Sequence, residues 1–204
     1  MSQDWSELHY DVLKEVGNIG AGNAATALAA LLNQQIRMQV PNVIWLPLDA
    51  VADRLGGAEK PVAGILLNVD SDVSATILVV FPLQQAYLLL DMLFNYPLGQ
   101  SATIDEVGAS ALEEVGNILA GSYLTSLSTF TGLTFVPMVP ALAVDMAGAV
   151  LDYVLAEFGQ VADQVLLIET ELQALGEDIN SYFFLVPKVK ALNAIFAALG
   201  VDLT

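Results

Sequence analysis

The sequence predicts an α+β fold with pseudo-two-fold internal symmetry. Three observations lead there: a long segment recurs at an offset of 99 residues, strand-like runs follow one another without the helices that a parallel sheet would need between them, and each half closes on an amphipathic helix.

The repeat aligns residues 11–41, DVLKEVGNIGAGNAATALAALLNQQIRMQVP, with residues 110–140, SALEEVGNILAGSYLTSLSTFTGLTFVPMVP, without a gap. The identical pairs include Leu13/Leu112, Glu15/Glu114, Val16/Val115, Gly17/Gly116, Asn18/Asn117, Ile19/Ile118, Ala21/Ala120, Gly22/Gly121, Thr26/Thr125, Leu28/Leu127 and Pro41/Pro140. Further on, ATILVVFPLQQAYLLLDMLF echoes YFFLVPKVKALNAIFAALG at an offset of 105, so an insertion separates the two stretches. Each is a strand-like run followed by Pro82 or Pro187 and then an amphipathic helix.

Taken in order, each half reads as a long helix, a strand pair around Pro41 or Pro140, two further strands and a closing helix. The first long helix is expected over about 6–33 and the second over about 103–131, with Thr103 and Glu106 forming a capping box at its start. Strands are expected at 35–47, 62–69, 73–81, 133–144, 164–172 and 181–186, where β-branched and aromatic residues concentrate. The halves, about 4–98 and 103–200, are expected to fuse into a single domain because the connection over 97–102 is short. Gly17, Gly20 and Gly22 inside the first helix cost together about 3 kcal/mol relative to alanine. A close helix contact, between the two repeat helices, is the structural feature expected to offset them.

Composition narrows the function. Hydrophobic residues make up 55% of the 204 and charged ones 14%, which describes a folding chain with a sizeable core. The richest apolar stretch, residues 139–158, is interrupted by Asp145, Asp152 and Glu157, so no membrane insertion is expected. The N-terminal MSQDWSEL has no basic or apolar region of a secretory signal, which predicts a cytoplasmic protein. A net charge of −17, from six Lys+Arg against 23 Asp+Glu, opposes binding to nucleic acid or anionic lipid. Cysteine is absent and His9 is the one histidine, which leaves no thiol chemistry and no multi-His metal site; His9 reads as a surface residue.

Residues 20–25, GAGNAA, share letters with a dinucleotide fingerprint, but DVLKEVGN before them reads as helix already under way, where that motif needs a strand, and the repeat copy is LAGSYL. Glu15 with Asn18, and Glu114 with Asn117, are more informative. Each pair is three residues apart and therefore shares one helix face, with Asp11 or Ser110 one turn earlier. A solvated stripe is the plain reading of one such pair. The same spacing recurs, however, while neighbouring positions diverge, Lys14 to Glu113 and Asn23 to Ser122, and packing has no evident need for an acid and an amide there. Two oxygen-bearing side chains are too few for a protein-built Mg²⁺ or Ca²⁺ site and form no nucleophile–base triad, so no metal of the chain's own is expected. An amide can orient a water for in-line attack on phosphorus, and a carboxylate can pair with a cation on a partner.

The pattern Asp/Ser-x3-Glu-x2-Asn-x22-Pro, present twice and ending at Pro41 and Pro140, resembles that of the CheC, CheX and FliY chemotaxis phosphatases. The likeness extends over nearly the whole chain, through LKEVGNIGAGNAATAL, VPNV and PALAVDMAGAVLDY, and two intact motifs without an appended flagellar-switch domain are most similar to the CheC type. The resemblance implies hydrolysis of the aspartyl phosphate on the response regulator CheY. Glu15 and Glu114 would pair with a lysine of CheY, and Asn18 and Asn117 would align water; Mg²⁺ would belong to CheY, and the chain would need no cofactor of its own. Asp11, Pro41, Ser110 and Pro140 would complete the motif. The resemblance also implies binding of the receptor deamidase CheD, expected near Asp145 within the apolar stretch 140–155, whose plain reading is core. The alternative is a non-catalytic module that sequesters CheY-phosphate or CheD.

Overall fold

The computed structural model describes residues 7–40, 42–71, 74–158, 164–187 and 189–200. The chain opens with α1 (Glu7–Leu32), then β1 (Arg37–Gln39), β2 (Val43–Pro47), a 3₁₀ turn running into the short α2 (Val51–Arg54), the hairpin β3 (Pro61–Ser71) and β4 (Ala75–Pro82), and α3 (Leu83–Leu93). The order then recurs as α4 (Glu106–Thr131), β5 (Phe135–Pro137), β6 (Ala141–Met146), α5 (Ala147–Phe158), β7 (Gln164–Ala174), β8 (Glu177–Pro187) and α6 (Val189–Ala198). The α+β class read from the sequence is the class observed.

All strands join one antiparallel sheet in the order β1-β7-β8-β4-β3-β5, with β2 also on β7 and β6 also on β3. The leading strands of each half thus pair with the hairpin of the other. At the centre, Leu78 stands opposite Phe184 and Val79 opposite Phe183. At the 105-residue offset Leu78 corresponds to Phe183 and Val79 to Phe184, so this pairing maps onto itself across a pseudo-two-fold axis.

The sheet is covered on both faces. Ile77, Val79 and Phe81 of β4 point into the larger core beneath α1, α3, α4 and α6, while Leu78 and Val80 point into a smaller one beneath α2 and α5. Period-two alternation explains why β4 reads as a continuous apolar run: both of its faces are buried. The α2 and α5 helices are absent from the strand-and-helix pattern expected above. The stretch 140–155 is also not simply core: β6 is an exposed strand, and α5 buries Ala147, Val150, Leu151 and Val154.

Helix ends follow local chemistry. The expected Thr103–Glu106 capping box is not what starts α4. Asp105, with extended backbone, is the N-cap, and its carboxylate accepts from the Gly108 N–H at 2.8 Å. Gly132 ends α4 in the left-handed region at φ 70°, and its repeat equivalent Asn33 follows α1 at φ 50°, the residue type that best tolerates that region after glycine. Between the halves, buried Asp91 accepts from the backbone N–H groups of Gly99, Gln100 and Ser101 at 2.7, 3.1 and 2.8 Å, which fixes the connection leading to α4.

The close contact between the repeat helices is present. A Cβ on Gly20 would stand 2.6 Å from Cδ1 of Tyr123, so α1 needs glycine there for the Tyr123 ring to lie against its backbone. The buried Tyr123 hydroxyl shares a hydrogen bond with Thr170 of β7 at 3.1 Å, and burial pushes its pKa up to about 12 despite that bond. This contact fixes how α1 and α4, the helices carrying the duplicated motif, sit against each other and the sheet.

Candidate functional site

Each motif is held by one long helix and the irregular strand behind it. In the second half, Val69 pairs with Pro137 and Leu66 with Ala141, so three residues ending at Pro140 stand opposite only Leu67 and Asn68. This is a bulge, where proline is tolerated because no ladder hydrogen bond is asked of its nitrogen. In the first half Gln39 pairs with Glu171 and Val43 with Ile168, the same spacing; Pro41 itself lies outside the described residues, as does the side chain of His9.

On α1, Asp11, Glu15 and Asn18 are exposed; on α4, Ser110 and Glu114 are exposed and Asn117 is half-buried. Their inward neighbours Leu13, Val16, Leu112 and Val115 are buried, so the alternation of helix faces delivers the acid and amide outward. Both motif glycines are buried against the sheet: Gly17 lies over Val40 and Ile168 with room for a Cβ, whereas Gly116 lies over Ile65, where an added Cβ would come within 2.5 Å of a side-chain carbon. Ser110 donates back to the Glu106 carbonyl at 3.0 Å. Among the described residues no hydrogen bond or ion pair engages the side chains of Glu15, Glu114 or Asn117, and the one ion pair is Arg54 with Glu169 at 2.6 Å, elsewhere on the surface.

The two sites differ in one respect. The carbonyl oxygen of Asn18 accepts the Val40 backbone N–H at 3.3 Å, whereas α4 reaches its strand through Glu113, whose carboxylate accepts the Leu142 N–H at 3.1 Å. Position 14, the equivalent of Glu113, is a lysine and cannot accept. Sequence reasoning did not assign roles to Val40 and Glu113; the divergence of Lys14 and Glu113 between the repeats was the signal available.

Asp145 lies apart from both pairs, on β6 opposite Val62, and is exposed, its carboxylate accepting the N–H of Met146 at 2.7 Å. It borders a groove of about 360 Å³ between β6 and α5, lined by Gly64, Leu66, Ala143 and Tyr153 among others. Tyr153 on its wall is 63% exposed and, apart from Asp145, the groove is lined by apolar residues, so this is apolar surface, and the reading of Asp145 as a core residue does not hold. No group of three or more His, Cys, Asp or Glu among the described residues is arranged to hold a metal, and none of their helices is long and apolar enough to cross a membrane.

The fold and site together define an α+β protein that presents an acid and an amide twice from two equivalent helices. It belongs to the CheC-like family. The profile of that family matches residues 8–44 and 107–144, the two motif-bearing segments. The chain is 38% identical over 97% of its length, and 96% of the relative's, to a Bacillus subtilis protein named CheY-P phosphatase CheC. It is 32% identical over 62% of its length to the B. subtilis flagellar motor switch phosphatase FliY, of which that match covers 33%. In fold, it is similar to Thermotoga maritima FliY, with a TM-score of 0.77 at 21% identity over 97% of this chain and 98% of that one.

Proposed function

We propose that this chain accelerates hydrolysis of the aspartyl phosphate on CheY, using Glu15 with Asn18 and Glu114 with Asn117. The observation that carries the reading is the repetition itself: the same acid and amide, at the same spacing, face solvent from equivalent positions of two 26-residue helices. The near full-length likeness to a CheY-P phosphatase supplies the substrate.

The chemistry needs little covalent participation by the chain. Each Glu pairs with a cation on CheY and sets the docking register. Each Asn reaches the phosphorylated aspartate and holds a water in line with the phosphorus–oxygen bond to be broken. Water oxygen bonds to phosphorus, the phosphorus–aspartate bond breaks, and inorganic phosphate leaves with the protons of water, restoring the carboxylate. Mg²⁺ is expected on CheY, beside the phosphate, and the chain itself contributes orientation and charge.

The Asp145-bearing groove is the surface we assign to CheD. Its apolar rim with one carboxylate suits a regulatory partner, and it is formed by elements other than the motif faces of α1 and α4.

Turnover is the test. A substoichiometric amount of the chain added to excess CheY-phosphate should release phosphate over many cycles. Release limited to one equivalent per chain would instead mean that the pairs capture CheY-phosphate without catalysis.

A further inference from the structure

The helix glycines of the two motifs separate into two groups. Gly17 is buried over Val40 and Ile168 at ordinary contact distances, while Gly20 and Gly116 are buried so closely against Tyr123 and Ile65 that a packing reason for glycine is visible. Gly22 and Gly121 have none: a Cβ built on either meets nothing within 4 Å. Gly22 is exposed and Gly121 half-buried, and they occupy equivalent positions near the middle of α1 and α4, with no positive φ to require glycine. An interior helix glycine without a packing partner lowers stability relative to alanine. Two of them, at matching places in the repeated helices, need a reason outside the fold.

Their placement supplies one. Gly22 is four residues beyond Asn18 and Gly121 four beyond Asn117, so each continues the face that carries Glu and Asn. One turn further, Thr26 donates its hydroxyl to the Gly22 carbonyl at 3.0 Å and Thr125 does the same to Gly121 at 2.7 Å, folding both side chains back along the helix. One turn beyond each amide, the glycine position is therefore open backbone. Small residues are what permit another chain to approach a helix closely.

We propose that Gly22 and Gly121 are positioning residues for CheY-phosphate, each a side-chain-free position against which the partner rests so that Asn18 or Asn117 can reach the phosphorylated aspartate. The inference builds on the function proposed above. A methyl group on this face would hold the partner away while leaving the helix better formed.

The test is the full-length Gly22→Ala/Gly121→Ala variant, with Gly22→Leu/Gly121→Leu as a larger obstruction. Thermal unfolding and steady-state phosphate release from CheY-phosphate are measured on each. For the alanine variant the melting temperature should rise by about 2–4 °C per substitution. The KM for CheY-phosphate should rise on the order of tenfold, with a smaller change in kcat and a greater KM for leucine. A raised melting temperature with unchanged KM in both variants would overturn the inference, and so would a lowered melting temperature in the alanine variant, which would mark the glycines as structural. Asn18→Ala/Asn117→Ala, assayed alongside, separates the two levels. Loss of hydrolysis there, with glycine variants behaving as wild type, removes only the role of the glycines; hydrolysis retained there removes the proposed function.

Discussion

The side-chain oxygen of Asn18 is bound to the backbone N–H of Val40 at 3.3 Å, and Val40 is 3% exposed. Its repeat equivalent Val139 is 89% exposed, and Asn117 makes no matching bond. A water-orienting amide uses its carbonyl oxygen as an acceptor, and in Asn18 one of that oxygen's two lone pairs already serves the chain's own backbone.

The two sites should therefore contribute unequally. Asn18→Ala and Asn117→Ala are each expected to reduce CheY-phosphate hydrolysis in part, Asn117→Ala the more, and the double variant should fall on the order of a hundredfold. Phosphate release under matched conditions checks this, with circular dichroism to verify folding. A double variant that folds and retains its activity contradicts the mechanism, and a greater loss from Asn18→Ala contradicts the asymmetry.

Glu15→Gln and Glu114→Gln should weaken CheY binding without disturbing the fold, since both carboxylates are exposed and unpaired among the described residues. Breaking a charge pair desolvated at an interface costs about 2–5 kcal/mol. Calorimetric titration of CheY should register the loss while the melting temperature stays within about a degree or two. A sharp fall in melting temperature with CheY affinity intact would assign these glutamates to the fold.

Asp145→Lys should abolish CheD binding and leave basal hydrolysis untouched. Its side chain is exposed, so the reversal places a cation at the groove rim without burying charge in the core. Calorimetry with CheD, and phosphate release with and without it, form the matched pair of measurements. Unchanged CheD affinity would move the docking surface elsewhere.

Asp91→Asn should destabilise the fold by about 1–3 kcal/mol, because the carboxylate receives three backbone N–H groups from the connection between the halves. Burial alone would raise the Asp91 pKa, but its bonds to Ser101, Gly99 and Gln100 outweigh that, and the group titrates below its ordinary value. A depressed carboxyl contributes stability above its unfolded pKa and loses it as the pH falls through the folded one. Denaturant unfolding from neutral pH into the acid range should show the wild-type advantage over Asp91→Asn at neutral pH and its shrinkage toward low pH.

Much of this was legible in the residues. A gapless offset of 99 placed two long helices, and α1 and α4 are each 26 residues long. The Glu-x-x-Asn spacing, set among buried Leu13, Val16, Leu112 and Val115, was enough to put both pairs on outward faces. Other features escaped. The four-residue α2, Val51–Arg54, is too short for a period to show, and α5 follows β6 with no intervening punctuation, so the strand expected over 133–144 was followed by no helix at Ala147–Phe158. The capping error has a similar origin: Thr103 and Asp105 are both good N-caps, and only the path of the connection clamped by Asp91 decides which one begins α4.

By itself the sequence determined the class, the duplication and the chemistry on offer, because periodicity and spacing are local properties of a chain. Tertiary structure decided what lies between the halves. Strand pairing is set by long-range register, so no local pattern could say that β1 and β2 cross to β7 while β5 and β6 cross to β3. The same distance in sequence hid the fate of each amide. Asn18 meets Val40 and Asn117 does not, because a bulge frees backbone groups whose partners depend on how helix and strand pack, and identical letters at 18 and 117 carry no record of that packing.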